Sequence, residues 1–222
     1  MTRLNNHVIV LAVGLSALAG FVDVLGFLEL HGRFVAFMSG NSTLLALAMA
    51  RQDVMALSIA GGIILTFVTG TFVATLIAHF VPRHLHIRVV LWLVAGLLLA
   101  GFFSHLAGWP VVAIAGMTLA MGAANAVLQR DGEVVVGVTY MTGTLVKIGQ
   151  KAAQGLTGGA RFAWLPYLLL WAGLVAGGII GVLIYDKAGL NGLAIAAVWA
   201  AILSHYAVWL RIAIPSEAAR DS

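Results

Sequence analysis

The sequence predicts an all-α protein that crosses a membrane several times and consists of two related four-segment repeats. Of its 222 residues, 62% are hydrophobic and only 9% are charged, and the mean hydropathy is +1.05. A soluble domain needs about a quarter of its residues charged, so this chain has too few polar side chains to cover a surface in water. Its apolar blocks are long and rich in Ala, Gly and Leu, which favours spanning helices over a barrel of short alternating strands.

Composition and motifs exclude several classes of function. The chain has no cysteine, so it has no disulfide, thiol nucleophile or Cys-ligated metal. Its sequence pI of about 9.9 comes from basic residues that sit singly in loops, which is typical of membrane orientation signals rather than of nucleic-acid binding. It lacks a P-loop, a dinucleotide fingerprint and the zinc-protease and serine-hydrolase motifs. We therefore expect no enzyme activity, no cofactor, no metal site and no nucleic-acid partner.

Eight segments follow one another along the chain, and six are long and apolar enough to cross a bilayer as helices. The first, Val8 to Leu28, is too long for a signal-peptide core and has no Ala-x-Ala cleavage site after it. The six predicted spans are residues 8–28, 54–80, 89–106, 111–128, 162–185 and 190–210. The two remaining segments, residues 34–50 and 134–154, are interrupted by polar residues.

These two interrupted segments contain the same pattern. One reads Phe34-Val-Ala-Phe-Met38-Ser39-Gly40-Asn41-Ser42-Thr43-Leu44, and the other reads Val136-Gly-Val-Thr-Tyr140-Met141-Thr142-Gly143-Thr144-Leu145. In each, a short β-favouring apolar run precedes Met, a small hydroxyl residue, Gly and a polar residue of the helix-capping type. A helix-forming run follows, so the pattern predicts a short strand leading into a half-helix.

Two further matches indicate an internal duplication. Gly14-x-Ser16-x-x-x-Gly20-x-x-Asp23 corresponds to Gly116-x-Thr118-x-x-x-Gly122-x-x-Asn125, and Ser104-His105-Leu-Ala107-Gly-Trp109 corresponds to Ser204-His205-Tyr-Ala207-Val-Trp209. The offsets are 102 and 100 residues, against 103 for the interrupted segments. We interpret residues 1–222 as one membrane domain with repeats at 8–107 and 111–209.

The distribution of basic residues favours six full crossings with two re-entrant segments. If all eight segments cross, seven Lys and Arg residues lie on one side and five on the other, which is almost no bias. If the interrupted segments re-enter, nine lie inside and three outside, a normal positive-inside pattern with a cytoplasmic N-terminus. The nine are Arg3, Arg83, Arg88, Arg130, Lys147, Lys151, Arg161, Arg211 and Arg220, and the three are Arg33, Arg51 and Lys187. Eight spans remain an alternative, because a strand followed by a half-helix is long enough to cross.

The interrupted segments are the predicted functional centre. A half-helix that starts within the membrane exposes free N–H groups and a positive dipole end, and transporters use such starts to bind solutes. Ser39, Asn41, Thr142 and Thr144 are candidate helix caps, while Gly40 and Gly143 permit unusual dihedrals or close approach. The candidate binding residues are Asp23, Ser39, Gly40, Asn41, Ser42, Asn125, Thr142, Gly143 and Thr144. The competing interpretation is that these small residues only promote helix packing.

Asp23 is the one acidic residue well inside an apolar segment, and its repeat counterpart is Asn125. An intramembrane carboxylate is costly and suggests a functional site. Ser16, Gly20 and Asp23 share one helix face, so this face is predicted to line the same interior as the interrupted segments. Asp23 either binds a proton or cation or supports the interrupted segment structurally.

The motif from Ala19-Gly20-Phe21-Val22-Asp23 to Phe37-Met38-Ser39-Gly40-Asn41 resembles that of the YoaK-like (UPF0700-type) bacterial inner-membrane proteins of unknown function. The resemblance covers nearly the whole chain and implies about six spans in the bacterial inner membrane. The strand and half-helix arrangement is also similar to the central element of nucleobase and sulfate transporters, which are about twice as long.

Two functions stay open at this point: a small secondary transporter or channel for a small polar or anionic solute, and a non-transporting membrane subunit or scaffold. Besides the lipid bilayer and the solute, a homodimer is a further partner to consider, through small-residue stripes such as Gly173-x-x-x-Gly177-x-x-x-Gly181. Packing of that stripe within the chain is the preferred interpretation.

Overall fold

The fold is a helical bundle, which the computed structural model describes for residues 6–130, 133–134 and 137–209. Val136 of the second repeated stretch lies outside the described residues, as do Leu210 and the basic residues Arg3, Arg211 and Arg220. In the described part, the α-helices are α1 (Asn6–Glu29), α2 (Met38–Ala50), α3 (Val54–Phe80), α4 (His86–Leu106), α5 (Pro110–Ala124), α6 (Met141–Leu156), α7 (Leu165–Ala188) and α8 (Gly192–Trp209). A two-residue antiparallel pair, β1 (Gln129–Arg130) and β2 (Glu133–Val134), and one 3-10 turn (Gly189–Asn191) complete it.

Four helical runs are long and apolar enough to cross a bilayer: Asn6–Glu29, Val54–Phe80, His86–Leu106 and Leu165–Trp209. The fourth run holds both α7 and α8, which are separated at Gly189, where φ of 56° and ψ of −141° break the helix. Helix α5 has the same apolar character but only 15 residues. The all-helical membrane class predicted from composition is therefore confirmed.

Helix α1 lies at the centre of the bundle and runs parallel to α7. Glycines of α7 face backbone or side-chain atoms of α1 in increasing order along both helices: Gly173 faces Val13, Gly177 faces Ala17, and Gly181 faces Phe21. The small-residue stripe of α7 therefore packs within the chain, as preferred from the sequence. Buried side chains of α1, such as Leu11, Leu15 and Leu18, form much of the core.

Helices α3 and α5 make a second parallel pair of the same kind. Gly70 faces the backbone of Leu119, and Gly122 faces the backbone of Phe67. The hydroxyl of Thr71 donates to the carbonyl of Gly122 at 3.0 Å, and the hydroxyl of Thr75 donates to Oε1 of Gln129, just after α5, at 3.1 Å. These two contacts increase along both segments, so the two helices run parallel. Because a glycine from each helix meets the backbone of the other, the two axes approach closely.

The other long contacts are antiparallel. Helix α4 meets α5 through Gly101 beside Ala113 and Gly116 beside Leu97. It meets α8 through Gly101 beside Leu193, and the Ser204 hydroxyl donates to the carbonyl of Arg88 at 3.4 Å. Helix α8 runs antiparallel to α1, since Gly14 meets Leu203 and Leu25 meets Gly192. Together these contacts show that α1, α4 and α7 run in one direction and that α3, α5 and α8 run in the opposite direction.

Two local predictions differ from the structure. Helix α5 ends at Ala124, before the predicted Leu128, because residues 125–127 make successive turn hydrogen bonds to Gly122, Ala123 and Ala124. The predicted strand before each half-helix is absent from the described residues 33–37 and 137–140. At 33–37, side chains of α1 and α2 bind backbone groups that a neighbouring strand would otherwise bind.

Candidate functional site

A cavity of about 240 Å³ lies between the starts of α2 and α6. Residues of both interrupted segments line it, although they are about a hundred positions apart in sequence. Its lining residues are Ala36, Phe37, Met38, Ser39, Thr139, Tyr140, Met141, Thr142 and Gly143, together with Phe67 of α3. The structure thus brings the two stretches together at one place.

The two stretches contribute matching positions to the cavity. At an offset of 103 residues, Ala36 pairs with Thr139, Phe37 with Tyr140, Met38 with Met141, and Ser39 with Thr142. Each stretch therefore contributes one aromatic ring, one thioether and one hydroxyl at positions that match in sequence. The two halves differ mainly by the extra hydroxyls of Thr139 and Tyr140.

Both half-helices begin without a side-chain cap. The N-cap residues are Phe37 and Tyr140, and neither receives a side-chain cap hydrogen bond in the described structure. The prediction that Ser39, Asn41, Thr142 and Thr144 act as caps is wrong, because these four residues lie inside the first turns of α2 and α6. The first N–H groups of each helix instead point toward its start, beside the cavity.

The side chains of Asn41 and Thr144 are hydrogen-bonded within the protein and do not line the cavity. The Asn41 amide nitrogen donates to the Phe34 carbonyl at 2.6 Å, and its Oδ1 accepts from the Phe34 N–H at 3.1 Å. Asn41 therefore ties the loop to α2. The Thr144 hydroxyl donates to the carbonyl of Tyr140 at 3.2 Å, within its own helix. Ser42 does the same toward Met38 at 2.9 Å and is exposed away from the cavity.

Asp23 supports the chain that leads into the cavity. The backbone N–H groups of Val35 and Ala36 donate to its Oδ1 at 2.9 and 2.7 Å. Its counterpart Asn125 accepts at Oδ1 from the Thr139 hydroxyl at 3.0 Å and donates to the Met121 carbonyl at 3.0 Å. Asp23 and Asn125 thus hold residues two or three positions before the half-helices begin, and neither lines the cavity directly.

The two glycines of the repeated motif have different surroundings. A Cβ at Gly40 would meet the rings of Phe34 and Phe37, whereas a Cβ at Gly143 would have no atom within 4 Å. Both have negative φ and lie in helices, so the expectation of unusual dihedrals is wrong. Gly143 borders open space at the cavity, while Gly40 does not line the cavity and makes room for the rings of Phe34 and Phe37.

The sequence did not single out Phe67, and it placed Ser16 on the polar face of α1 without naming it as a binding residue. Phe67 lies in the long apolar helix α3, where its ring looks like any lipid-facing or core residue. Ser16, on the predicted polar face of α1, is fully buried and donates to the carbonyls of Leu170 at 3.0 Å and Val138 at 3.3 Å. It links α1 to the second interrupted segment, so α1 holds both segments.

The cavity is lined mostly by apolar side chains, and the polar groups among them are uncharged. No acidic or basic side chain occurs among the described residues that line it. Its polar groups are hydroxyls and the N–H groups of two helix starts, and each start carries a partial positive charge. Elsewhere in the described residues no group of three His, Asp or Glu side chains is arranged to hold a metal ion. The arrangement suits a hydrogen-bond acceptor or an anion better than a cation.

Its helices and hydropathy make this a multi-pass membrane protein. A family model described as "Protein of unknown function (DUF1275)" matches residues 11–206. A UPF0700 transmembrane protein of Rhizobium meliloti (strain 1021) is 30% identical over 180 residues, which cover 81% of this chain and 76% of that protein. No solved structure matches the chain.

The chain belongs to the DUF1275 family of transmembrane proteins of unknown function. The resemblance to UPF0700-type membrane proteins noted from its motifs is confirmed.

Proposed function

We propose that this protein is a small secondary transporter or channel for a small polar or anionic solute, and not an enzyme. The observation that carries the proposal is the shared cavity between the starts of α2 and α6. Broken helices whose N-termini meet at one site are a recurring way to bind solutes within a bilayer.

The electrostatics of the cavity support the solute class. Each helix N-terminus is equivalent to roughly half a positive charge, and no carboxylate lines the cavity to offset the pair. The hydroxyls of Ser39 and Thr142 lie beside the two starts and can donate to an acceptor group. Irregular backbone such as residues 33–37 is tolerated inside a membrane only beside protein or water, which fits a water-accessible site.

The helix directions support two inverted repeats, α1–α4 and α5–α8. Helix α1 runs opposite to its counterpart α5, α3 opposite to α7, and α4 opposite to α8. In each case the first helix of one unit packs against the third helix of the other: α1 packs against α7, and α5 packs against α3. Inverted repeats place equivalent elements on the two sides of a central site, as alternating access requires.

The surroundings of α2 support re-entry rather than a crossing. Arg33, before α2, and Arg51, at its end, line one pocket, so the chain enters and leaves at the same end of the bundle. With both interrupted segments re-entrant, the charge distribution gives six crossings, a cytoplasmic N-terminus and an inner-membrane location in a bacterium.

Cysteine labelling tests this topology, because the chain has no native thiol. His31→Cys and Gln52→Cys should react with a membrane-impermeant maleimide in intact cells, since both exposed positions lie at the proposed outer face. His84→Cys, in the exposed loop between α3 and α4, should react only after permeabilisation. Labelling of residues 31 and 52 from opposite sides would show that α2 crosses and would refute re-entry.

Gly143→Leu should abolish solute flux while the protein stays folded. The new side chain enters open space at the cavity and meets no fixed atom. Proteoliposomes would be exposed to a hyperosmotic step of sodium formate, sodium acetate, urea or glycerol. The recovery of their volume would be followed by light scattering. The wild-type protein should speed recovery for at least one of these solutes.

The matched control is Gly149→Leu, on the same helix at an exposed position with no atom near its Cβ. It should keep wild-type flux. Wild-type flux in Gly143→Leu would show that the cavity is not the solute pathway. If the wild-type protein accelerates none of the panel, the non-transporting subunit becomes the better hypothesis, and a stable heteromeric complex after mild detergent extraction would support it.

A further inference from the structure

A second pocket, of about 200 Å³, lies where the ends of α1 and α2 meet the start of α3. Its polar lining residues are His31, Arg33, Arg51 and Asp53, and Leu44 and Leu47 of α2 form its apolar side. It shares no lining residue with the cavity between the half-helices.

Two tight turns bring the two arginines to this pocket. Helix α1 ends with the Gly32 N–H donating to the Phe27 carbonyl at 2.9 Å, and α2 ends with the Asp53 N–H donating to the Ala48 carbonyl at 3.0 Å. Both turns place a residue other than glycine in the left-handed region, His31 with φ of 51° and Gln52 with φ of 54°. Such backbone persists where the surrounding structure requires it, often at functional sites.

The guanidinium groups have donors to spare. Arg33 uses one N–H, to the Leu30 carbonyl at 3.2 Å. The Arg51 guanidinium makes no hydrogen bond or ion pair with any residue that the structure describes, and neither arginine pairs with a described carboxylate. The Asp53 carboxylate accepts from the Ala56 N–H at 2.9 Å, as the N-cap of α3. Two full positive charges therefore face one carboxylate that is already engaged as a cap.

Closing a helix end does not by itself require an arginine at position 51. At the offset of 103 residues Gln154 corresponds to Arg51, the C-cap of α2, while α6 continues to Leu156 and has Thr157 as its C-cap. Gln154 accepts from the Lys151 ammonium at 3.0 Å on an exposed surface. The same half-helix therefore ends in the second repeat without a guanidinium, and the arginine pair is particular to this pocket.

We propose that this pocket binds a phosphate-class oxyanion through Arg33 and Arg51. Guanidinium groups match tetrahedral oxyanions by paired N–H donors. The volume exceeds what one such ion needs, and Leu47 is 44% exposed beside it. The oxyanion is therefore either a free ion or the headgroup of an anionic phospholipid whose chain lies along α2.

The test measures thermal stability from intrinsic tryptophan fluorescence, because the chain has six tryptophans. Delipidated protein in dodecyl maltoside would be titrated with potassium phosphate against sodium chloride of equal ionic strength. In a second arm, nanodiscs of phosphatidylglycerol would be compared with nanodiscs of phosphatidylcholine. A saturable rise with phosphate assigns a free ion, and a rise confined to phosphatidylglycerol assigns a headgroup.

Arg51→Gln should weaken the response at least about tenfold in apparent Kd, and Arg33→Gln with Arg51→Gln should remove it. Lys187→Gln deletes an exposed basic residue outside the pocket and should respond as the wild type does. Arg51→Lys should recover part of the affinity, since it keeps the charge and loses the paired donors. Gel filtration shows whether each variant is folded. If the double variant is aggregated, the test rests on the single variant Arg51→Gln. An equal response in wild type and Arg51→Gln, or no saturable response in either arm, would overturn the proposal.

Discussion

Replacing Asp23 with alanine should lower the free energy of unfolding by about 2–5 kcal/mol, because it leaves two N–H donors in the bundle interior without their acceptor. Those donors belong to Val35 and Ala36, and Val35 is fully buried. Neither has a neighbouring strand as an alternative partner. Unfolding in mixed micelles of dodecyl maltoside and SDS, followed by tryptophan fluorescence, measures the change.

Asp23→Asn is the matched control. It keeps an Oδ1 acceptor of the same shape and copies Asn125, which does the equivalent work for Thr139. We expect it to lose about 1 kcal/mol at most, since only the charge assistance of two hydrogen bonds is removed. Wild-type stability for Asp23→Ala would contradict the structural role.

The same pair of variants separates the two interpretations of Asp23. A purely structural carboxylate predicts that Asp23→Asn keeps both stability and solute flux. A proton or cation site predicts that Asp23→Asn keeps stability but loses flux or its dependence on pH, because the amide cannot ionise. Asn125, which corresponds to Asp23 in sequence at an offset of 102 residues, already has its amide hydrogen-bonded inside the bundle.

The sequence located the interrupted segments because Gly, Ser, Thr and Asn are conspicuous among apolar residues. It could not reveal which of them face the cavity. Asn41 looked like a helix cap but turns back to Phe34, since an amide both donates to and accepts from one backbone unit. Phe67 lines the cavity from α3, and the position of α3 depends on packing against distant parts of the chain, which its apolar pattern does not encode.

Helix directions were equally hidden from local patterns. The charge count favoured re-entry, but it only compared the numbers of Lys and Arg residues on the two sides of the membrane. It could not show which helices pack together. The contacts of α1 with α7, and the hydrogen bonds from Thr71 and Thr75 of α3 to Gly122 and Gln129, increase in residue number along both segments and so give the helix directions. Small-residue stripes predicted close approach somewhere, while the partner of each stripe depends on the tertiary fold.

The glycines at the two parallel helix pairs give the last prediction. Gly177→Ala and Gly70→Ala should each destabilise the protein by about 1–3 kcal/mol or more, because the added methyl group meets a backbone carbonyl that cannot rotate away. Gly177 faces the carbonyl of Ala17, and Gly70 faces that of Leu119. The same micelle unfolding assay applies, with Gly96→Ala in α4 as the control. No atom lies within 4 Å of a Cβ at Gly96, so that change should be neutral or stabilising by up to about 1 kcal/mol.

The comparison between Gly177 and Gly70 also bears on the proposed repeats. Ala17 and Leu119 are 102 residues apart, as are Gly20 and Gly122, while Gly70 and Gly177 are 107 apart. The offset is still 103 between Met38 and Met141 at the helix starts, so it grows mainly after that point, where α6 has 16 residues against 13 in α2. If the pairs α1 with α7 and α5 with α3 are equivalent contacts of one duplicated unit, the two substitutions should cost the same within about 1 kcal/mol. A large cost at Gly177 with none at Gly70 would mean that the correspondence in sequence is not a correspondence in packing, and the inverted-repeat proposal would lose its main support.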